Sequence, residues 1–170
     1  MLHNRIAILA AVAGVAIVVG VMFAPVAADV SAGSKAPSFR LSTLDGKTVG
    51  LADVTDKPTV IVFWATWCPH CRAEMPVVEK IYKDVHAKGG NILGISLDDK
   101  ASTASDFVRA NHITFPIAVA GSRNDIVRSY GISGIPTVFV LDKGGVVKAR
   151  YAGEVSESTI RGEFAKLGVK

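Results

Sequence analysis

Cys68 and Cys71 are the only cysteines of this 170-residue chain, and they stand three residues apart in Trp67-Cys68-Pro69-His70-Cys71. They can form a disulfide only with each other or with a partner. A bond that closes so short a loop removes little entropy from the unfolded chain, so it is a poor staple for a domain this size. Chemistry accounts for the spacing better. Two thiols at a helix start both see the positive end of the helix dipole, which favours thiolate over thiol, and the thiolate is the form that attacks disulfides.

The elements that would present the pair in this way are visible around it. Pro58-Thr59-Val60-Ile61-Val62-Phe63-Trp64 is a continuous apolar, β-branched run, the pattern of a strand buried on both faces. Ala65-Thr66-Trp67 follows as a short turn. Proline is favoured at the first helical position, where its missing N–H has no partner to lose, so Pro69 makes Cys68 the N-cap. The sulfur then replaces a capping oxygen, within reach of the N–H groups of His70 and Cys71. On this reading Cys68 is the nucleophile and Cys71 the resolving thiol.

Competing chemistries of a Cys-x-x-Cys pair fail on residue counts. Structural zinc needs four ligands; there is no second cysteine pair, and His3, His86 and His112 lack companions at ligand spacing. Haem attachment needs histidine directly after the second cysteine, where Arg72 stands. A peroxidatic cysteine of the peroxiredoxin type follows Pro and Thr or Ser at set offsets, occupied here by Ile61 and Ala65. Asp98-Asp99 lacks further oxygen ligands and reads as a loop at a strand end, not a metal site. No metal or other cofactor is expected. The formal charge of +4 comes from basic residues scattered among acidic ones, which gives no support to nucleic-acid binding.

From about Ala36 to the C-terminus the chain resembles the thioredoxin superfamily, specifically the membrane-associated TlpA/ResA-like thiol-disulfide oxidoreductases. Ordered segments carry the likeness. Residues 33–39 and Leu44-Asp45-Gly46-Lys47-Thr48-Val49 resemble that group's extra N-terminal hairpin, and Val60 to Glu74 its redox strand and helix. Gly134-Ile135-Pro136-Thr137-Val138-Phe139-Val140 resembles the cis-proline strand, and Gly144-Gly145-Val146-Val147 with Tyr151-Ala152-Gly153 the closing hairpin. Asp98 to Ala120 is similar to the central insertion.

The resemblance implies roles that composition does not. An X-Pro bond is cis in only about 5% of cases, so Pro136 alone reads as a trans proline opening a strand; its match to the family position reverses that. A cis bond would turn the Ile135 backbone outward beside Cys68, where a substrate peptide can pair as an added strand. Trp67 joins Ile135 and Pro136 as a substrate-facing residue, while Trp64 reads as core. His70, as imidazolium near Cys68, would stabilise the reduced form and make the disulfide a stronger oxidant. Cys-Pro-His-Cys also matches the tetrapeptide of the superfamily's periplasmic disulfide donors. The alternative is an exposed histidine without electronic effect. Glu74, on the helix face of Cys71, matches a functional glutamate of the TlpA/ResA-like group and would take the resolving thiol's proton; the alternative is a solvated surface acid. Thioredoxin's buried aspartate is replaced by Val62, and Pro76 should kink the redox helix.

Without the family name the architecture comes out the same. Apolar strands at Val60 to Phe63, Ile92 to Leu97 and Thr137 to Leu141 alternate with helices at Cys71 to Lys88, Ser102 to Asn111, Asp125 to Tyr130 and Ser156 to Leu167. Asp45-Gly46 and Gly144-Gly145 are hairpin turns. The pattern predicts one α/β domain of βαβ units around a parallel core; the resemblance adds that it is of thioredoxin-like fold over 31–170, a central mixed sheet flanked by helices, with the N-terminal hairpin extension and the central insertion.

Residues 1–30 decide the compartment. The uncharged stretch from Ile6 to Ala28 approaches the roughly 20 residues needed to span a bilayer and, with Arg5 before it, predicts a signal anchor oriented N-inside. Cleavage of a signal peptide after Ala28 is the alternative. Either way the domain is extracytoplasmic, on the periplasmic or outer face of the membrane. The expected function is an exported protein-disulfide oxidoreductase acting on protein thiols or disulfides. The resemblance implies a reductant of apocytochrome c or copper-site cysteines, recharged by a membrane thiol-disulfide electron transducer. The alternatives are a disulfide donor and a Cu(I)-binding assembly protein.

Overall fold

The computed structural model describes residues 30–170. The expected anchor over 1–30 therefore lies outside the described residues, apart from Val30, which is buried in the core at 1% exposure. Among the described residues no helix is long and apolar enough to cross a membrane.

The described residues form twelve elements in order: β1 (Arg40–Thr43), β2 (Thr48–Gly50), α1 (Leu51–Val54), β3 (Thr59–Trp64), α2 (Pro69–His86), β4 (Asn91–Ser96), α3 (Ala101–Ala110), β5 (Ile117–Val119), α4 (Asn124–Ser129), β6 (Thr137–Leu141), β7 (Val147–Ala152) and α5 (Glu157–Lys166). The strands form one sheet in the order β2-β1-β5-β4-β3-β6-β7. β3, β4 and β5 run parallel, and the outer pairs are antiparallel. This is a thioredoxin-like mixed sheet.

β3 is fully buried because its residues serve two cores. Val60, Val62 and Trp64 join Met75, Val78 and Ile81 of α2, Ala104 of α3, and Ile160 and Phe164 of α5. Ile61 and Phe63, pointing the other way by the period-2 rule, join Val54 of α1, Ile126 of α4 and Tyr130. There Phe63 packs on Tyr130 and Phe139 at 5.1 and 5.9 Å between ring centroids. Burying each such side chain stabilises the fold by about 1.5–3 kcal/mol, which explains why a run without polar alternation becomes the central strand.

Three details depart from the sequence reading. The stretch 33–39 is not a hairpin strand: it holds only a bridge from Lys35 to Val146, and β1 starts at Arg40. The short α1 and β5 were not foreseen. β5 has three residues behind Pro116, too few for a periodicity, and it exists because β1 and β4 flank it on both edges. The central insertion thus supplies a strand to the sheet.

α2 is pinned across the sheet end by Glu79, which is buried yet satisfied. Its carboxylate accepts from the Thr114 N–H and hydroxyl, both at 2.7 Å, and pairs with Lys83 at 3.3 Å. α5 begins as expected with Ser156, whose hydroxyl accepts from the Thr159 N–H at 3.1 Å.

Gly94, in the middle of β4, leaves room for the Trp64 ring. A Cβ there would stand 2.5 Å from Ile117 Cδ1 and 3.2 Å from both Phe115 Cε2 and Trp64 Nε1. Gly94→Ala is expected to lower stability by about 1–3 kcal/mol through overpacking, measured by urea unfolding; an unchanged midpoint would mean that this layer yields freely.

Candidate redox site

The end of β3 delivers the chain to the carboxyl edge of the parallel strands, where open α/β sheets place their sites. Ala65 to Trp67 make the turn, with the Cys68 N–H donating to the Ala65 carbonyl at 3.2 Å. Cys68 is the N-cap of α2 in extended conformation (φ −93°, ψ 112°), followed by Pro69. Its Sγ accepts from the Cys71 N–H at 3.2 Å; no bond from the His70 N–H accompanies it. The two cysteines form a disulfide with their Cα atoms 5.3 Å apart. Cys71 is sealed at 0% exposure and Cys68 is at 5%, so Cys68 is the sulfur nearer solvent.

Across from the sulfur lies the start of β6. The Ile135–Pro136 peptide bond is cis, and Cys68 Sγ is 3.6 Å from the Ile135 carbonyl oxygen. A backbone carbonyl beside a sulfur of this kind is where an extended peptide can align. Trp67 projects alongside at 67% exposure, the one large apolar side chain so exposed among the described residues. Trp64 is fully buried against Phe107, in keeping with a core role.

Glu74 is not a surface acid. It is 5% exposed; Oε1 accepts from the Val155 N–H at 2.8 Å, while Oε2 is buried without a partner. Burial is the largest influence on its carboxyl and raises the pKa to about 7, against the lowering effect of the Val155 bond, with the negative charge of Glu154 adding to the rise. A cavity of about 320 Å³ lies here, lined by Ala73, Glu74, Val77, Glu154, Val155 and Ser156 among others. A carboxyl poised near neutrality can take or give a proton at physiological pH.

His70 is 73% exposed, and its Nδ1–H donates to Glu154 Oε1 at 2.6 Å. The sequence pairs His70 with Cys68 or leaves it exposed without electronic effect; its exposure fits the second reading, and Glu154 goes unmarked because no motif signals an acid 84 residues downstream. Asp98 was set aside as a loop acid. It is buried at 3% exposure, accepts from the Thr66 hydroxyl at 2.6 Å, the Thr66 N–H at 3.1 Å and the Ser96 hydroxyl at 2.8 Å, and so holds the turn before Cys68 to the end of β4. Its neighbour Asp99 is exposed. Val62 is buried in the core, so the thioredoxin aspartate has no counterpart at that position. Among the described residues no three His, Cys, Asp or Glu side chains are grouped to hold a metal.

The redoxin family model matches residues 31–166, nearly all of the described residues. The chain belongs to the redoxin family. Within it, the thiol-disulfide oxidoreductase ResA of Bacillus thuringiensis (strain Al Hakam) is 32% identical over 135 residues, covering 79% of this chain and 78% of that protein. ResA of Bacillus subtilis (strain 168) is 30% identical over 132 residues, 78% of this chain and 73% of that one. Among solved structures, a putative thiol:disulfide interchange protein DsbE from Chlorobium tepidum superposes with a TM-score of 0.76 at 28% identity, over 82% of this chain and 99% of its own. This redoxin is thus a thiol-disulfide oxidoreductase of the ResA/DsbE type.

Two outcomes test the site. Asp98→Ala leaves the Thr66 and Ser96 donors without their acceptor, and is expected to cost about 2–3 kcal/mol in denaturant unfolding; Asp98→Asn should recover part of it. Glu74 has a folded pKa above its unfolded one, so the folded state binds the extra proton between about pH 4.5 and 7. Stability falls as pH rises through that window. Glu74→Gln, which keeps the acceptor for Val155, is therefore expected to match wild type at pH 4 and to exceed it by about 2 kcal/mol at pH 8. Parallel unfolding curves at the two pH values would contradict a buried, poised carboxyl.

Proposed function

We propose that this protein is an exported reductant of protein disulfides in which Cys68 attacks and Cys71 resolves. The observation that carries the reading is the Cys68–Cys71 disulfide at the N-terminus of α2, with Cys68 Sγ facing the Ile135 carbonyl across the cis-proline. In the reduced protein the Cys71 N–H and the helix dipole stabilise the Cys68 thiolate. A substrate strand lies along Ile135 and Pro136 with Trp67 at its side. The thiolate attacks one substrate sulfur, forms a mixed disulfide and releases the other as a thiolate that takes up a proton. Cys71 gives its proton to the Glu74 carboxylate, attacks Cys68 Sγ and expels the second substrate sulfur as a thiolate, which takes up a proton. Two electrons have passed to the substrate, and the protein is left in the disulfide form.

Glu74 supports this direction, since a base near neutrality one helical turn beyond Cys71 activates the buried resolving thiol. Membership among ResA-type proteins points the same way and suggests apocytochrome c or copper-site cysteines as substrates. Residues 1–30 anchor the domain N-inside and place it on the outer face, where a membrane thiol-disulfide electron transducer restores the dithiol.

The test is the equilibrium of the full chain, purified in detergent, with defined glutathione and dithiothreitol mixtures. A potential well below that of glutathione is expected; one well above it would make the protein a disulfide donor. In parallel, Cys71→Ser should accumulate a mixed disulfide through Cys68 and stop turnover, and trapping through position 71 in Cys68→Ser instead would reverse the two roles.

A further inference from the structure

Three consecutive residues after β7 touch three separate parts of the site. The Gly153 N–H donates to the Pro136 carbonyl at 2.8 Å, Glu154 Oε1 accepts from His70 at 2.6 Å, and the Val155 N–H donates to Glu74 at 2.8 Å. Gly153 makes the turn at φ +90°, a region L side chains rarely adopt. His70 and Glu74 are four residues apart on α2, hence neighbours on one helix face, and the loop grips that face twice. Glu154 and Glu74 also line the same cavity. Its other carboxylate, Glu157, is held by Lys80 at 3.1 Å and Arg161 at 2.8 Å, and Arg161 also binds Asp84.

We propose, resting on the oxidoreductase reading above, that Glu154 is a positioning residue of the redox centre, one that engages His70 and puts a fixed negative charge on the cavity it shares with Glu74. Two effects follow and they have the same sign. An imidazole bonded to Glu154 is not free to turn to the Cys68 thiolate as its counter-ion, and a carboxylate close to the helix start disfavours that thiolate directly. Both weaken the dithiol relative to the disulfide, so the pair gives up electrons more readily. A Cys-Pro-His-Cys motif, whose histidine by itself would favour an oxidant, is thereby made compatible with a reductant. The same charge favours the protonated form of Glu74, against which it lies.

The experiment compares wild type, Glu154→Gln, Glu154→Asp, His70→Gln and the double variant His70→Gln/Glu154→Gln as full chains in detergent. Each is equilibrated with glutathione at pH 7, and the Glu74 carboxyl of the disulfide form is titrated by carbon-13 NMR. Glu154→Gln is expected to shift the equilibrium about threefold to tenfold towards the dithiol, tenfold being about 30 mV, and to lower the Glu74 midpoint. In the His70→Gln background the same change should move the equilibrium less than half as far, and Glu154→Asp should restore wild-type behaviour. An equilibrium within twofold of wild type, an unmoved Glu74 midpoint, or an equal shift with and without His70 overturns the proposal. A drop in melting temperature alone would mark Glu154 as merely structural, and overturns it too. If wild type itself fails to exchange with glutathione, the oxidoreductase reading falls first; if wild type exchanges and Glu154→Gln matches it, the positioning role alone is lost.

Discussion

The sulfur of Cys68 holds the place of a capping oxygen at the start of α2, and the Cys71 N–H it accepts is a donor the helix cannot satisfy internally. This contact requires the helix to begin at one residue and no other, because a start shifted by a single position would rotate both sulfurs by about 100° around the axis. The surrounding structure enforces it. β3 ends at Trp64 against the core, Asp98 holds Thr66 in the intervening turn, and Pro69 supplies the first helical dihedral without needing a donor. The sulfur nearer solvent, the sealed sulfur and the facing Ile135 carbonyl follow from that start.

Three buried acids of the fold show the difference between holding and working. Asp98 and Glu79 each collect several donors, so their carboxylates are accounted for by hydrogen bonds to the turns they fasten. Glu74 has one donor for two oxygens. A carboxylate with incomplete partners is costly to keep charged away from water, and here that cost appears as affinity for a proton near neutral pH. The deficit sits one helical turn beyond Cys71, in the cavity that Glu154 borders.

Contiguous features were legible in the chain. The apolar run of β3, the N-cap cysteine with Pro69 after it, the Ser156 cap and the two glycine turns each depend on neighbours in sequence, and the structure has them where the local chemistry demands. The cis state of Pro136 came from family likeness and not from its own preference. What stayed hidden was long-range. β5 is too short to carry a period, Asp98 looks like any loop acid until Thr66 is brought beside it, and nothing near Glu154 announces His70. Sequence separations of 32 and 84 residues put those partnerships beyond local pattern.

The loop after β7 gives the site an order in time as well as a place. A growing chain releases Cys68 and Cys71 well before Gly153, Glu154 and Val155, which bond Pro136, His70 and Glu74; Glu154 follows His70 by 84 residues. Until that loop arrives the two thiols belong to a nascent polypeptide, lacking the Glu154 contact to His70 and the Val155 contact to Glu74. The centre is therefore complete only once the chain has been made through Val155, well after both cysteines have appeared.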